Sequence, residues 1–135
     1  MATTTTTVSG NQPLLDLTQT LTVAHTLTKD DSGFVCYLKS ATGRAINLPA
    51  PLAGFKLTVI TAQVFATTAW TFVSTGANVR GGAIVNSVFV PSAGTTTVTL
   101  SATAETLGDY FQITSDGTSY FISGNFATAA ACTFS

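Results

Sequence analysis

From Leu17 onward apolar and polar residues alternate with the two-residue repeat of extended chain. In "LTQTLTVAHTLT", Leu21, Val23, His25 and Leu27 fall on one face and Thr20, Thr22, Ala24, Thr26 and Thr28 on the other, which predicts a half-buried strand. "KDDSG" then supplies turn formers, and "FVCYLKS" resumes extended structure. "ATGR" reads as a turn and "AINLP" as a short strand. "FKLTVI" alternates again, with Phe55, Leu57 and Val59 toward a core. Next come "AWTFVS" around Trp70, the glycine-marked "GANVRGG", and the apolar run "AIVNSVFV" up to Pro91. Gly81-Gly82 reads as a turn or bulge, and "SAG" as a turn. "TTTVTLSAT" places Val98 and Leu100 inward. In "GDYFQITSDGTSYFISG" two aromatic-rich strands flank Ser115-Asp116-Gly117-Thr118, and Asp-Gly is a preferred pair for a tight hairpin turn. "NFATAAACTFS" is open between a terminal edge strand and a loose tail.

Eight to ten short strands follow from this pass, with turns about every 8–12 residues, the spacing of a sandwich or barrel. Helix content is expected to be close to nil. "TAQVFATTAW" has room for one helical turn, but its Val, Phe and Thr favour strand or loop. One joint stands out in "INLPAPLAGFKLTVI". Pro49 ends the strand holding Ile46 and Leu48, Pro51 fixes φ near −65°, and Ala50, before a proline, is held extended. Gly54 then frees the backbone to enter "FKLTVI". The segment is expected to be a rigid corner between two strands, where the chain changes sheet.

Ahead of these strands, "MATTTTTVSGNQP" is low in complexity. Its β-branched run favours extended backbone but offers no buried face. Two readings stand: a disordered start, or an arm that adds a strand to a neighbouring subunit.

Composition agrees with the pattern. Of 135 residues, 27 are threonine, a β-branched residue whose hydroxyl keeps the outer face of a sheet wet without charge. Hydrophobic residues make up 45% and charged ones 8%, against about 25% charged in an ordinary domain. That excludes ordinary disorder. A net charge of −1 gives little repulsion between copies, which suits a protein living in an assembly; an unusually low-charge monomer is the plain alternative. Lys29, Lys39, Arg44, Lys56 and Arg80 are scattered, whereas phosphate binding needs clustered cations, so no nucleic-acid partner is expected. No apolar run approaches the roughly 20 residues that span a bilayer, and residues 1–12 lack the basic start and apolar core of a signal peptide. Synthesis in a reducing cytoplasm, with no membrane partner, is the expectation.

Candidate chemistry is sparse. His25 is the single histidine, on a strand face where packing or an interface is the usual role. Asp30, Asp31 and Asp116 sit in turns that favour aspartate for its backbone hydrogen bonds. Asp30-Asp31 is weighed as a Ca²⁺ site but lacks a spaced acidic loop, and there is no phosphate-cradling glycine motif. Cys36 and Cys132 have no ligand-spaced histidine; both read as small buried apolar groups, with a disulfide between them left open. No catalytic residue, cofactor or metal is expected, and the protein is not expected to be an enzyme. Trp70, Tyr110, Phe111, Tyr120 and Phe121 offer either a sugar-binding platform or a core plus a subunit interface. In each hairpin arm the two adjacent aromatics must point to opposite faces.

The series "LTKDDSGFVCYL", "AINLPAPLAGFKLTVI", "VNSVFVP" and "GDYFQITSDGTSYFISG" resembles small virion proteins of tailed phages, the capsid decoration, cement or head-fibre proteins. The likeness covers roughly residues 20–124 and includes no catalytic motif; related patterns also occur in tail-fibre modules. It implies an all-β chain: a β-sandwich or jelly-roll-like single domain over 16–135, with an extended or flexible N-terminal arm over 1–15. It further implies a homotrimer on the outer surface of the phage head, bound to the major capsid protein and stabilising its lattice. A receptor- or glycan-binding module of a tail or head fibre is the alternative. Thr3, Thr4, Thr5, Thr6, Thr7 and Val8, with Leu14 and Leu15 as anchors, are the candidate capsid or subunit contacts.

Overall fold

The computed structural model describes the backbone of residues 4–8 and 12–16, and backbone and side chains from residue 17 to 135. Among the described residues there are fourteen strands. The first two, β1 (Thr4–Val8) and β2 (Gln12–Asp16), form a two-stranded antiparallel sheet of their own. The body continues with β3 (Thr18–Leu21), β4 (His25–Thr26), β5 (Val35–Leu38), β6 (Ala45–Asn47), β7 (Lys56–Thr61) and β8 (Trp70–Val73). Its second half holds β9 (Val79–Val85), β10 (Val88–Thr95), β11 (Thr97–Leu100), β12 (Tyr110–Ser115), β13 (Tyr120–Phe126) and β14 (Cys132–Phe134). A single 3-10 turn, Lys29–Asp31, is the helical content of the described residues.

These strands make two sheets, a seven-stranded one ordered β10-β9-β13-β12-β7-β5-β3 and a five-stranded one ordered β14-β11-β8-β6-β4. The chain is all-β, as composition and alternation predict, and the two-sheet sandwich is the form it takes. Its winding had no sequence signal. From β3 to β8 successive strands alternate between the sheets, so β3, β5 and β7 lie parallel in one and β4, β6 and β8 parallel in the other. The second half is mainly antiparallel: β9 pairs with β10, β12 with β13 and β7, and β11 with β8 and β14. Parallel pairing of β13 with β9 joins the two hairpins.

Alternation places the core as expected. Phe55, Leu57, Val59, Val98 and Leu100 are all buried. The two layers meet through aromatic rings. Phe72 of the five-stranded sheet and Phe111 of the seven-stranded one have centroids 4.9 Å apart at 83°, the edge-to-face geometry that adds about 0.5–1.5 kcal/mol beyond area burial. Cys36 and Cys132 are free, buried, and in different sheets; the disulfide left open by the sequence is not formed.

Four elements depart from expectation. The strand predicted over residues 17–28 is two strands, because the chain leaves the seven-stranded sheet after Leu21 and enters the other at His25. Val23, expected inward, sits at that corner with 62% exposure. The run "AIVNSVFV" is also two strands, reversed at Asn86 and Ser87, whose φ of 50° and 66° make a two-residue turn matched to strand twist. "SAG" is strand: Gly94 (φ 94°) lies at a bulge in β10 between Ala93 and Thr95. Gly81-Gly82 lies inside β9, where its backbone presses on its neighbours; a Cβ on Gly81 would run into the Ile122 carbonyl of β13.

The Pro-Ala-Pro joint is a sheet-to-sheet corner. β6 ends at Asn47 in the five-stranded sheet and β7 begins at Lys56 in the seven-stranded one. The corner's backbone is tied at both ends: Leu48 N–H donates to the Val73 carbonyl at 2.8 Å, and Gly54 N–H to that of Ser115 at 2.9 Å. Finally, "NFATAAACTFS" ends in β14, an edge strand paired to β11.

Candidate interaction surface

The two outer faces of the sandwich are dressed differently. On the five-stranded sheet, pairing aligns Thr133, Thr99, Thr71 and Ala45 in one row, and Thr97, Val73, Asn47 and Thr26 in the next. Small polar side chains dominate it. On the seven-stranded sheet, register aligns Phe89, Ile84, Asn125, Tyr110, Ile60, Tyr37 and Thr20 across all seven strands. Phe89 is 57% exposed and Tyr110 42%, which is unusual for residues of this size. A second row on the same face holds Arg80, Phe121, Thr114 and Lys56, with Phe121 44% exposed. The charges in these rows are cationic.

The adjacent aromatics of the hairpin behave as alternation requires. Phe111 and Tyr120 are buried, while Tyr110 and Phe121 point out. Trp70 is fully buried, which removes it as a sugar platform. Between β7 and β12 the outer face carries a groove of about 250 Å³ lined by Gly33, Lys56, Thr58, Gln112 and Thr114 among others. An open depression of about 320 Å³ lies beyond the strand ends, bordered by Thr106, Leu107, Tyr110 and Asn125. Sequence reasoning missed Ile84 and Phe89, because an unbroken apolar run reads as core. The turn pair Asn86-Ser87 was the available signal that this run is a hairpin with one face outward.

The candidate contacts of the arm are placed in part. Thr3 lies outside the described residues. Thr4, Thr5, Thr6, Thr7 and Val8 make up β1, and Leu14 and Leu15 lie in β2 opposite Thr6 and Thr5. The arm thus pairs with itself before reaching Leu17, which packs on the core. An isolated two-stranded hairpin is marginal in water.

The acids brace backbone. Asp31 Oδ2 accepts from Thr28 N–H at 2.7 Å and from Thr28 Oγ1 at 3.1 Å, while its Oδ1 accepts from Gln19 Nε2 at 3.3 Å. With Thr28 Oγ1 accepting from Asp30 N–H, this is a capping box on the 3-10 turn. Asp109 accepts from Thr106 N–H and Ala127 N–H, each at 2.9 Å. Glu105 Oε1 accepts from Phe65 N–H at 2.7 Å. Asp116 Oδ1 accepts from the N–H groups of Ser119 and Thr118, both at 2.8 Å, and these bonds hold its carboxyl below the usual carboxylate range. Burial pushes the Cys36 and Cys132 thiols up to about 12, with Asp31 and Asp109 respectively adding to the effect. His25 is half-buried in edge strand β4. Among the described residues no group of three or more His, Cys, Asp or Glu is arranged to hold a metal ion, and no helix is long and apolar enough to cross a membrane.

The chain matches no family model, no curated protein and no solved structure.

Proposed function

We propose that the chain is a structural virion protein of a tailed phage, a capsid decoration protein. It binds the outer surface of the head and stabilises the lattice of the major capsid protein, assembling there as a homotrimer after synthesis in the host cytoplasm. The observation that supports this reading best is the unequal dressing of the sandwich. A face that exposes Ile84, Phe89, Tyr110 and Phe121 among polar neighbours suits lasting contact with protein, and the threonine-rich face opposite suits permanent contact with water. The resemblance in residues 20–124 points the same way. The test is addition of the purified chain to expanded capsids that lack their decoration protein. Saturable co-sedimentation and a raised capsid melting temperature are expected, with binding weakened when residues 1–16 are removed. Failure to bind such capsids overturns the reading.

One observation favours a second reading, the glycan-binding module of a fibre. Tyr110 and Phe121 are exposed rings on neighbouring strands, with Gln112 and Ser123 paired between their rows, and flat rings beside polar groups can stack on sugars. Glycan-array binding lost in Tyr110→Ala and Phe121→Ala would establish it.

A further inference from the structure

We propose that the outer face of the seven-stranded sheet takes an acidic, apolar-flanked patch of the major capsid protein. One carboxylate of that patch enters the groove beside Lys56, and a second meets Arg80. The inference rests on the capsid reading and adds to it the chemistry of the partner surface.

Charge is sorted by place in this fold. None of the twelve strands of the two sheets contains Asp or Glu, and only two contain a Lys or Arg: Lys56 in β7 and Arg80 in β9. Both belong to the seven-stranded sheet and both are exposed. Register puts them in one outer row, Arg80-Phe121-Thr114-Lys56. The acids of the body stand in the connections instead, at Asp30, Asp31, Glu105, Asp109 and Asp116. Among the described residues neither Lys56 nor Arg80 has an ion pair or a side-chain hydrogen bond. A chain of net charge −1 thus presents one sheet whose strands carry positive charge alone.

The groove has the lining of a carboxylate site. Lys56, Thr58, Gln112 and Thr114 bring an ammonium, two hydroxyls and an amide to a recess of about 250 Å³. Among the described residues none of these side chains is spent on a hydrogen bond. Gly33 also borders the recess and adds no side chain to fill it. An ionised carboxylate offers acceptor sites and no donor, and charge-assisted bonds to it are about twice as strong as neutral ones. Ammonium, hydroxyl and amide N–H all donate to it. An aliphatic group entering here would instead leave Lys56 desolvated and unpaired.

The rest of the row sets the spacing. Phe121, 44% exposed, lies between Thr114 and Arg80. Three strand spacings of about 4.8 Å hold Lys56 and Arg80 roughly 14 Å apart. A complementary surface therefore carries two carboxylates at about that separation, with an apolar side chain between them. Nucleic acid is a poor match, because it needs clustered cations. A second copy is no better, since this row would offer it only cations.

The test is titration of the chain onto expanded, undecorated capsids at rising NaCl. Lys56→Glu and Arg80→Glu are compared with Arg44→Glu, which changes net charge equally at an exposed cation beside β8 of the other sheet. Affinity is expected to fall with salt and to drop about tenfold or more in Lys56→Glu and Arg80→Glu, while Arg44→Glu binds like the unaltered chain. The neutral variants Lys56→Gln and Arg80→Gln should fall between and lose part of the salt dependence. These side chains are exposed, so melting temperatures should hold, and the salt series on the unaltered chain needs no variant. Capsid binding that ignores salt and both reversals, or that Arg44→Glu weakens equally, overturns the acidic-partner inference and leaves the capsid reading standing. A chain that binds no such capsid overturns both. If that chain instead takes up an oligoglucuronate at Lys56, the glycan module replaces them.

Discussion

The Tyr120 hydroxyl donates a hydrogen bond to the Pro49 carbonyl at 2.6 Å, across 71 residues of sequence. The tyrosine opens β13 in the seven-stranded sheet, its ring buried edge-on against Phe55 at 6.0 Å. Pro49 begins the corner by which the chain leaves the five-stranded sheet, so the phenol braces the joint from the opposite layer. Tyr120→Phe keeps the ring and removes the donor to this part-buried carbonyl, which costs about 0.5–1.5 kcal/mol. A melting temperature lowered by several degrees is expected. Pro49→Ala with Pro51→Ala should lower it further, by about 0.4–1 kcal/mol per proline through the freer unfolded chain. If neither set of changes moves the melt, the corner is not the stiff joint described here.

Alkaline pH is expected to loosen the fold in two stages. Burial raises the Cys36 and Cys132 thiols from 9.0 to about 12, and the Tyr120 phenol from 10.0 to about 12. All three are neutral when protonated and have folded values above the unfolded ones. Their contribution is therefore complete below the unfolded values and is lost as pH rises toward about 12. Melting temperature should be level from neutral pH to near 9.0, then fall, with a steeper fall once tyrosine joins above 10.0. Tyr120→Phe should flatten the upper stage alone, and Cys36→Ala with Cys132→Ala the lower. A thiol reagent near pH 8 should find both cysteines slow to react until the chain unfolds.

Two glycines with similar backbone should respond differently to alanine. Gly81 has φ 98° and Gly54 φ 82°, both in the region that disfavours a side chain. At Gly54 a Cβ would meet nothing within 4 Å, whereas at Gly81 it meets the Ile122 carbonyl. Gly54→Ala is expected to cost about 1 kcal/mol from conformation. Gly81→Ala must also part β9 from β13, and chemical denaturation should show a loss several times larger. Equal losses would mean that close packing of the strands plays no part.

Asp31 is expected to matter for stability without any ion. Its carboxylate already accepts from Thr28 and Gln19. Asp31→Ala removes the reciprocal half of the capping box and should cost about 1–2 kcal/mol, while thermal melts with and without a chelator should superimpose. A chelator-dependent melt would restore the Ca²⁺ reading of Asp30-Asp31.

Where one face is buried, period-two alternation is an intrinsic record of orientation, and Leu57, Val59, Val98, Leu100 and the split pairs Tyr110/Phe111 and Tyr120/Phe121 were legible from it. It carries no record of which sheet a strand joins. Thr22 to Ala24 continue the alternation of their neighbours yet form a corner, and that corner turns one expected strand into two and Val23 outward. Parallel pairing leaves no mark either, because its partners are distant in sequence. The candidate face was half legible for the same reason: Tyr110 and Phe121 follow from the hairpin, whereas Ile84 and Phe89 required seeing that Asn86-Ser87 reverses the chain.

The strict alternation of β3 through β8 between layers has a mechanical consequence. Residues 22–24, 27–34, 39–44, 48–55 and 62–69 each stitch one layer to the other, so shear across the sandwich loads peptide bonds as well as side-chain contacts. Parting the layers therefore requires these five connections to extend as well as the core to open.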